Sequence, residues 1–509
     1  MIGSGTRFRL LVMPLAGAFA VTAFAPFGWF PVVCLSLALL FNQWLTDTPR
    51  RAFLHGGLFG LGFFGAGVSW VYVSVHGYGH VPAVAAIPVT LLLVAFMSLF
   101  PAFLGLLLRR YCHADSWLMA VAVLPAGWIL AEWLRGWLFS GFPWLNIGNS
   151  QIDGPLAGYA PLLGVYGTGW AAALTAGLLV MLLRRRLRVA GLLLLTAIWG
   201  GGHLLGTVEW TQPRAGTLKV ALVQGNIPQE EKWAPENMLD TLTRYVELTF
   251  AQTGTDIVVW PETAIPAFLD QVQDNFIPYI EKRLEAADMS LLTGIPVLDR
   301  TDWRYYNAVM SLGGKRALYY KQHLVPYGEY LPLRWLIGNA LDALAVPNAD
   351  FSRGAETQPL LQAAGYPVGA SICFEVVFGE QIIRDLPEAA LLVNVSNDAW
   401  FGDSLAPHQH LEMARMRARE TGRPMLRATN TGISAIIDHR GQVTARSPQF
   451  EQYVVSGSIV PRQGATPYVM AGNAPVVVLC LLCVLLPRVY GRLKHAASRN
   501  TVKARESRV

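Results

Sequence analysis

The chain has 509 residues, of which 53% are hydrophobic and only 15% charged. A soluble domain carries about 25% charged residues, so much of this chain is expected in lipid. The formal charge of +6 lies in short basic clusters between apolar runs and in the C-terminal stretch, which argues for membrane topology and against nucleic-acid binding.

A membrane span needs roughly 20 apolar residues. Taken in chain order, residues 8–24, 29–45, 53–75, 81–108, 117–138, 156–183 and 189–205 are seven candidates, and 468–486 is an eighth. An alternative for the first run is a signal peptide, since Arg7 and Arg9 precede it; Pro26 disfavours cleavage after Ala25. Basic residues recur in alternate connections: Arg50 and Arg51, then Arg109 and Arg110, then Arg184, Arg185, Arg186 and Arg188. By the positive-inside rule both termini are cytoplasmic and residues 216–462 lie on the outer face. The expected organisation is a seven-span membrane domain over 1–210, an extramembrane domain over 216–462, an eighth span over 467–488 and a basic cytoplasmic tail over 489–509. Gly56 and Gly60 read as helix-packing residues.

The segment 217–460 has a different texture, with short β-rich runs alternating with helical patterns. Strands are expected over 218–224, 256–260, 290–296, 307–312, 368–373, 390–395 and 434–438, and helices over 235–251, 270–287 and 408–420. This alternation implies a layered α/β domain. Among the five cysteines, Cys373 alone falls in this segment, so no intradomain disulfide is expected there. Cys480 and Cys483 form a C-x-x-C, but within an apolar run, where they read as small residues of a membrane helix.

Three features of the α/β segment carry chemistry. In Val258-Val259-Trp260-Pro261-Glu262-Thr263 an apolar strand is ended by a proline and followed at once by a carboxylate. Open α/β sheets build their sites at such strand ends. Lys321 ends a second β-rich run, and Glu329 follows the turn signal Pro326-Tyr327-Gly328. Cys373 ends a third, Gly369-Ala370-Ser371-Ile372, and Phe374 and Glu375 follow. Taken singly, each also fits a surface glutamate, a surface lysine or a buried small thiol.

Together, a Glu, a Lys and a Cys in that order, each at a strand end, resemble the carbon–nitrogen hydrolase (nitrilase) superfamily over residues 218–460. Gln224-Gly225-Asn226 and Asn394-Val395-Ser396-Asn397-Asp398-Ala399-Trp400-Phe401 add to the likeness. The resemblance implies an α-β-β-α sandwich with two central sheets. It makes Cys373 the nucleophile, Glu262 the general base and Lys321 the ammonium that favours the thiolate and holds the oxyanion. Glu329 and Glu375 become supporting carboxylates, and the Phe374 N–H a second oxyanion donor.

The fusion to a multi-span half narrows the resemblance to the apolipoprotein N-acyltransferase family. Glu132-Trp133-Leu134-Arg135-Gly136-Trp137, Gly141-Phe142-Pro143-Trp144-Leu145, Gln151 and Lys232-Trp233 carry it. Phe374 departs from the tyrosine the family often has there, so a phenol hydroxyl is not required at that position. The resemblance implies ping-pong acyl transfer in the bacterial inner membrane, with the catalytic domain periplasmic. The donor would be a phospholipid, the sn-1 chain of phosphatidylethanolamine first among candidates, with a Cys373 thioester between. The acceptor would be the α-amine of a diacylglyceryl-cysteine lipoprotein, in the last step of lipoprotein maturation. The resemblance makes Trp233 and Trp144 substrate contacts, with interfacial anchoring as the alternative; Trp335 is a further candidate contact, in an apolar segment over 331–346 expected to dip into lipid and gate acyl-chain entry or to pack as core. The protein is expected to act as a monomer without cofactor. His408 and His410 lack a third ligand at metal spacing, and no glycine-rich phosphate loop is present.

Two rivals stay open at this level. A transporter or receptor with an inert nitrilase-like domain predicts charged groups facing a path through the spans, for which Glu132 and Arg135 are candidates. A membrane-tethered amidase would use the same triad with water as acceptor.

Overall fold

A computed structural model describes residues 4–112, 116–185, 188–330 and 350–485. They fall into two compact units. One takes the described parts of Met1–Ser69, Ile87–Val208 and Asn473–Val509, and the other Trp70–Ala86 with Glu209–Gly472.

The first unit is helical and apolar. Among the described residues three helices are long and apolar enough to cross a bilayer: Ala83–Tyr111, Pro155–Leu183 and Arg188–Leu205. Pro49–Gly67 with Val71–Tyr78 makes a fourth if that bent pair counts as one span. The apolar helices Leu10–Ala23, Pro31–Trp44 and Ala474–Leu485 are shorter. Among the described residues the eight apolar runs thus correspond to fewer full-length helices, because π-turns and a break at Gly164 divide some of them. The run expected over 117–138 is divided in this way into Ser116–Leu118, a π-turn over Met119–Val123 and Leu124–Arg135. Leucines such as Leu91, Leu92, Leu192 and Leu193 are exposed on these helices, as lipid-facing positions require. Gly56 and Gly60 do pack helices: a Cβ at Gly56 would stand 2.4 Å from the Pro101 carbonyl oxygen. Glu132 and Arg135 are buried and internally bonded. Trp128 and the Ile147 N–H donate to Glu132, while Arg135 donates to the Phe142 and Trp144 carbonyls and to Asn146. They tie a helix end to the 142–147 loop, which removes the feature the transporter reading relied on.

The second unit holds fourteen strands among the described residues. In chain order these are β1 (Gln212–Pro213), β2 (Leu218–Gln224), β3 (Ile257–Val259), β4 (Ser290–Asp299), β5 (Arg304–Leu312), β6 (Ala317–Tyr320), β7 (Leu361–Ala363), β8 (Tyr366–Ile372), β9 (Leu391–Ser396), β10 (Met425–Thr429), β11 (Ala435–Ile437), β12 (Val443–Arg446), β13 (Tyr453–Ile459) and β14 (Arg462–Gln463). Two six-stranded mixed sheets run in the orders β13-β2-β3-β4-β5-β6 and β12-β11-β10-β9-β8-β7, and β1 pairs with β14 alone.

The period-2 pattern builds the layers. Leu218, Val220 and Leu222 of β2 point into a core shared with Ile372, Val393, Val395, Leu426 and Ala428 of the other sheet. The alternate residues Ala221 and Val223 pack against Leu242, Tyr245 and Val246 of helix Met238–Phe250 and Ile280 and Leu284 of helix Phe276–Ala286. Helix Ala406–Thr421 lies on the outer side of the second sheet, and its Met413, Ala414 and Met416 are buried. The result is the α-β-β-α sandwich expected from the resemblance. The strand expected over 218–224 is matched to the residue, whereas the helix expected over 270–287 is broken into Leu269–Val272 and Phe276–Ala286.

Candidate active site

Glu262 sits just past β3. The Trp260 N–H donates to Leu292 O at 2.8 Å and the Ile265 N–H to Gly294 O at 3.2 Å, which lays the 260–265 turn along β4. Gly294 makes that approach possible, since a Cβ there would stand 2.4 Å from the Thr263 nitrogen. The carboxylate is held at both oxygens. Asn307 Nδ2 of β5 donates to Oε1 at 2.7 Å, and the Asn397 N–H donates to Oε2 at 2.8 Å.

Lys321 follows β6 and is buried. Its Nζ lies 2.7 Å from Glu329 Oε1 and 3.6 Å from Glu262 Oε1. The second Glu329 oxygen accepts the Val325 N–H at 2.8 Å. Burial opposes the charge on Lys321, but Glu329 and Glu262 outweigh it and raise its pKa above the ordinary lysine value. The group stays an ammonium.

Cys373 ends β8 with φ 51, in left-handed backbone that a non-glycine residue adopts only under strain, and opens a 3-10 turn over Cys373–Val377. A sharp strand-to-helix turn of this kind lifts a nucleophile clear of its sheet. Cys373 is densely surrounded yet half-buried, so its sulfur is not sealed off. Burial, joined by the Glu262 carboxylate, pushes its thiol up to about 12 despite the opposing Lys321 ammonium. Lys321 favours the thiolate, but burial and Glu262 outweigh it, so the thiol proton must leave during attack.

Glu375 is fully buried and works as a clamp. Its two oxygens accept the N–H groups of Gln322 (2.7 Å), His323 (3.0 Å) and Ile372 (2.7 Å), the Tyr319 hydroxyl (3.0 Å) and Gln381 Nε2 (2.7 Å). The segment after Lys321 is thereby bound to the residue before Cys373. The Phe374 ring packs against His323 and Phe378.

Trp233 is half exposed beside Lys232, whereas Trp144 is fully buried and stacked on Phe142. Trp335 and the segment 331–346 lie outside the described residues. Asn397 and Lys232 entered the sequence reading only as parts of motifs, without a role, and Asn307 was not singled out. Asn307 is a buried amide in an apolar strand, which is a signal in itself. Lys232 is buried and donates to the Glu262 carbonyl at 3.1 Å; burial brings its pKa down to about 8 against the pull of Glu262. His410 belongs to a buried network with Asp398 and Arg427, and no cluster able to hold a metal occurs among the described residues.

The arrangement supplies a carboxylate next to a protonated thiol and a permanent cation beside both. That set can acylate a sulfur and pass the acyl group on.

Comparison with known proteins agrees with this geometry. Residues 16–178 match the family model described as the apolipoprotein N-acyltransferase N-terminal domain, and residues 219–468 match that of the carbon–nitrogen hydrolases. The chain is 48% identical to an apolipoprotein N-acyltransferase of Methylococcus capsulatus, over 93% of this chain and 94% of that protein. It is 44% identical to one of Nitrosomonas europaea, over 94% and 96%. It is 42% identical to one of Pseudomonas putida, again over 94% and 96%. With relatives this similar along nearly its whole length, the chain belongs to the apolipoprotein N-acyltransferase family.

Proposed function

We propose that this membrane enzyme transfers an acyl chain from a phospholipid to the N-terminal amine of a diacylglyceryl-cysteine lipoprotein through a thioester on Cys373. The observation that carries this reading is the meeting of Glu262, Lys321 and Cys373 at the ends of three strands in a chain of this family. Glu262 takes the Cys373 proton as the sulfur attacks the sn-1 ester carbonyl, phosphatidylethanolamine being the first candidate. The carbonyl electrons move onto oxygen, where the Lys321 ammonium and the Phe374 N–H hold them. Collapse expels the glycerol oxygen, which takes the proton from Glu262, and a lysophospholipid leaves. The lipoprotein α-amine then attacks the thioester, gives its proton to Glu262 and becomes an amide; Cys373 leaves and recovers the proton. Trp233, half exposed beside Lys232, is the substrate contact that fits this scheme best. Trp144, being buried, serves packing in it.

The topology that suits both lipid-anchored substrates has the termini in the cytoplasm, eight crossings counted with the bent pair, the three shorter helices and the divided run over 116–135, and the catalytic domain in the periplasm at the inner membrane. A monomer holds the entire triad. The decisive experiment incubates the protein with phosphatidylethanolamine vesicles and seeks a hydroxylamine-sensitive acyl adduct on Cys373 by mass spectrometry. A diacylglyceryl-cysteine peptide should then discharge it. No adduct, with ammonia released from small amides, would favour the amidase instead.

A further inference from the structure

Glu262 and Glu329 both lie near Lys321, yet they share it unequally. Lys321 Nζ stands 2.7 Å from Glu329 Oε1 and 3.6 Å from Glu262 Oε1. Coulomb attraction alone would draw the ammonium to both carboxylates. Glu262 is occupied by neutral donors instead. Asn307 Nδ2 stands 2.7 Å from Glu262 Oε1 but 3.5 Å from Glu329 Oε1. The other Glu262 oxygen accepts the Asn397 N–H at 2.8 Å. The short ammonium contact thus goes to one carboxylate and the short amide contact to the other.

Strand pairing sets Asn307 in this place. Ala308 of β5 pairs with Tyr320 of β6, and the next N–H along, that of Lys321, donates to the Asn307 carbonyl at 2.8 Å. Asn307 shares with Val309 the face of β5 turned toward the other sheet, and residues opposite each other on paired strands share a face. The side chain is buried. Its amide nitrogen carries two hydrogens, and the acceptors beside it are both carboxylates, which fixes its orientation and sends Oδ1 the other way. Among the described residues no donor meets that oxygen. Leaving a buried carbonyl oxygen unpaired costs stability, and a valine at 307 would avoid the cost. The amide is therefore explained by the site and not by the strand.

The kind of donor decides how readily a carboxylate takes a proton. A bond from an ammonium is roughly twice as strong as one from a neutral amide and opposes protonation accordingly. In the acyl-transfer scheme Glu329 keeps its charge and holds Lys321 in place, whereas Glu262 gains and loses a proton in each half-reaction. Resting on that reading of Glu262 as the proton acceptor, we propose that Asn307 is a positioning residue whose amide holds Glu262 apart from the Lys321 ammonium, so that the carboxylate serves as base while the ammonium stays directed at the oxyanion. Asn307 exchanges no proton itself; the thiol proton still travels between Cys373 and Glu262. Without the amide, Glu262 Oε1 and Lys321 Nζ would close to a direct ion pair, and base and cation would each be spent on the other.

A double-mutant cycle on acyl-enzyme formation from phosphatidylethanolamine, followed by mass spectrometry in single turnovers, tests this. Asn307→Ala should slow the protein that has Glu262 about ten- to a hundredfold, and the Glu262→Gln protein by less than about twofold, because an amide at 262 neither takes a proton nor carries a charge to draw the ammonium. Asn307→Ser leaves a smaller gap and keeps a hydroxyl donor. It should fall between parent and alanine variant when Glu262 is present and make no difference in Glu262→Gln, and it completes the cycle alone if the alanine variant does not fold. A merely structural loss would slow both backgrounds alike, with Tm falling in step. A parental rate in Asn307→Ala, or equal slowing with and without the Glu262 carboxylate, would overturn the proposal. A parent that takes no acyl group from phosphatidylethanolamine but releases ammonia from small amides would sink the acyl-transfer reading, and the same cycle read on ammonia release would still decide the role of Asn307.

Discussion

Cys373 rests as a thiol because burial and the Glu262 carboxylate outweigh the Lys321 ammonium. In the proposed scheme reactivity then depends on Glu262 as a proton acceptor, not on a standing thiolate. Glu262→Gln can still accept the Asn397 N–H at its one carbonyl oxygen and, once the Asn307 amide flips, donate to the Asn307 oxygen, but it cannot take a proton. It should slow acyl-enzyme formation by about 10²- to 10⁴-fold with little change in Tm, read by mass spectrometry and calorimetry. Lys321→Met removes the oxyanion cation and leaves Glu262 and Glu329 without the charge between them. A loss of at least about a hundredfold is expected in the same assay. Lys232 offers a pH test. Its pKa of about 8 when folded lies below the ordinary 10.5, so between those values the unfolded chain binds more protons than the native one. Stability attributable to Lys232 therefore rises with pH through that window. Lys232→Met should lose this rise and be the more stable protein at neutral pH, by up to about 3 kcal/mol. Denaturant titrations at neutral and alkaline pH would show whether it does.

At the level of elements, the site depends on loops bound to one another across two sheets. Glu375 gathers five donors that link the residues after β6 to the end of β8. Glu375→Gln puts an amide among groups that all donate. Hydrogen bonds to a charged group contribute about 1.5–3 kcal/mol each, so a fall of several kcal/mol in stability and a marked loss of acylation are expected together. A change in rate alone would mean that Glu375 touches the chemistry and is not a clamp. The segment Trp70–Ala86 falls between apolar helices in sequence yet clusters with the catalytic unit. Ser74 Oγ donates to Trp400 O at 2.7 Å, and Trp70 packs edge-on against Phe401 with ring centroids 4.9 Å apart. Both partners follow closely on Asn397, whose N–H holds Glu262.

For the whole molecule, sidedness is the property on which the proposed transfer between two lipid-borne substrates depends. Asp302 is exposed in the catalytic unit and Arg50 is exposed in one of the basic connections. With Cys373 replaced by alanine, an Asp302→Cys protein should react with a membrane-impermeant maleimide in cells with a permeabilised outer membrane and an intact inner one. An Arg50→Cys protein should react only after the inner membrane is opened. The reverse pattern would place the triad on the wrong side for mature lipoproteins.

Much of this was legible from residues alone. Alternating apolar positions fix which face of β2 turns inward, and a proline or an elbow fixes where Glu262 and Cys373 leave their strands; both are local effects of chain geometry. Composition likewise marked the membrane half, because transfer into lipid depends on side chains one at a time. Helix lengths were not legible, since π-turns and a glycine break divide apolar runs in ways hydropathy does not register, while Pro88 and Pro101 sit inside one continuous helix. Nor was the protonation state of Cys373 legible, which is set by burial and by charges from residues 262 and 321, or the contacts that Asn307 and Lys232 make with Glu262. Those are properties of groups far apart in the chain that folding alone brings within a few ångströms in a weakly screened interior, where distance and burial decide which charge prevails.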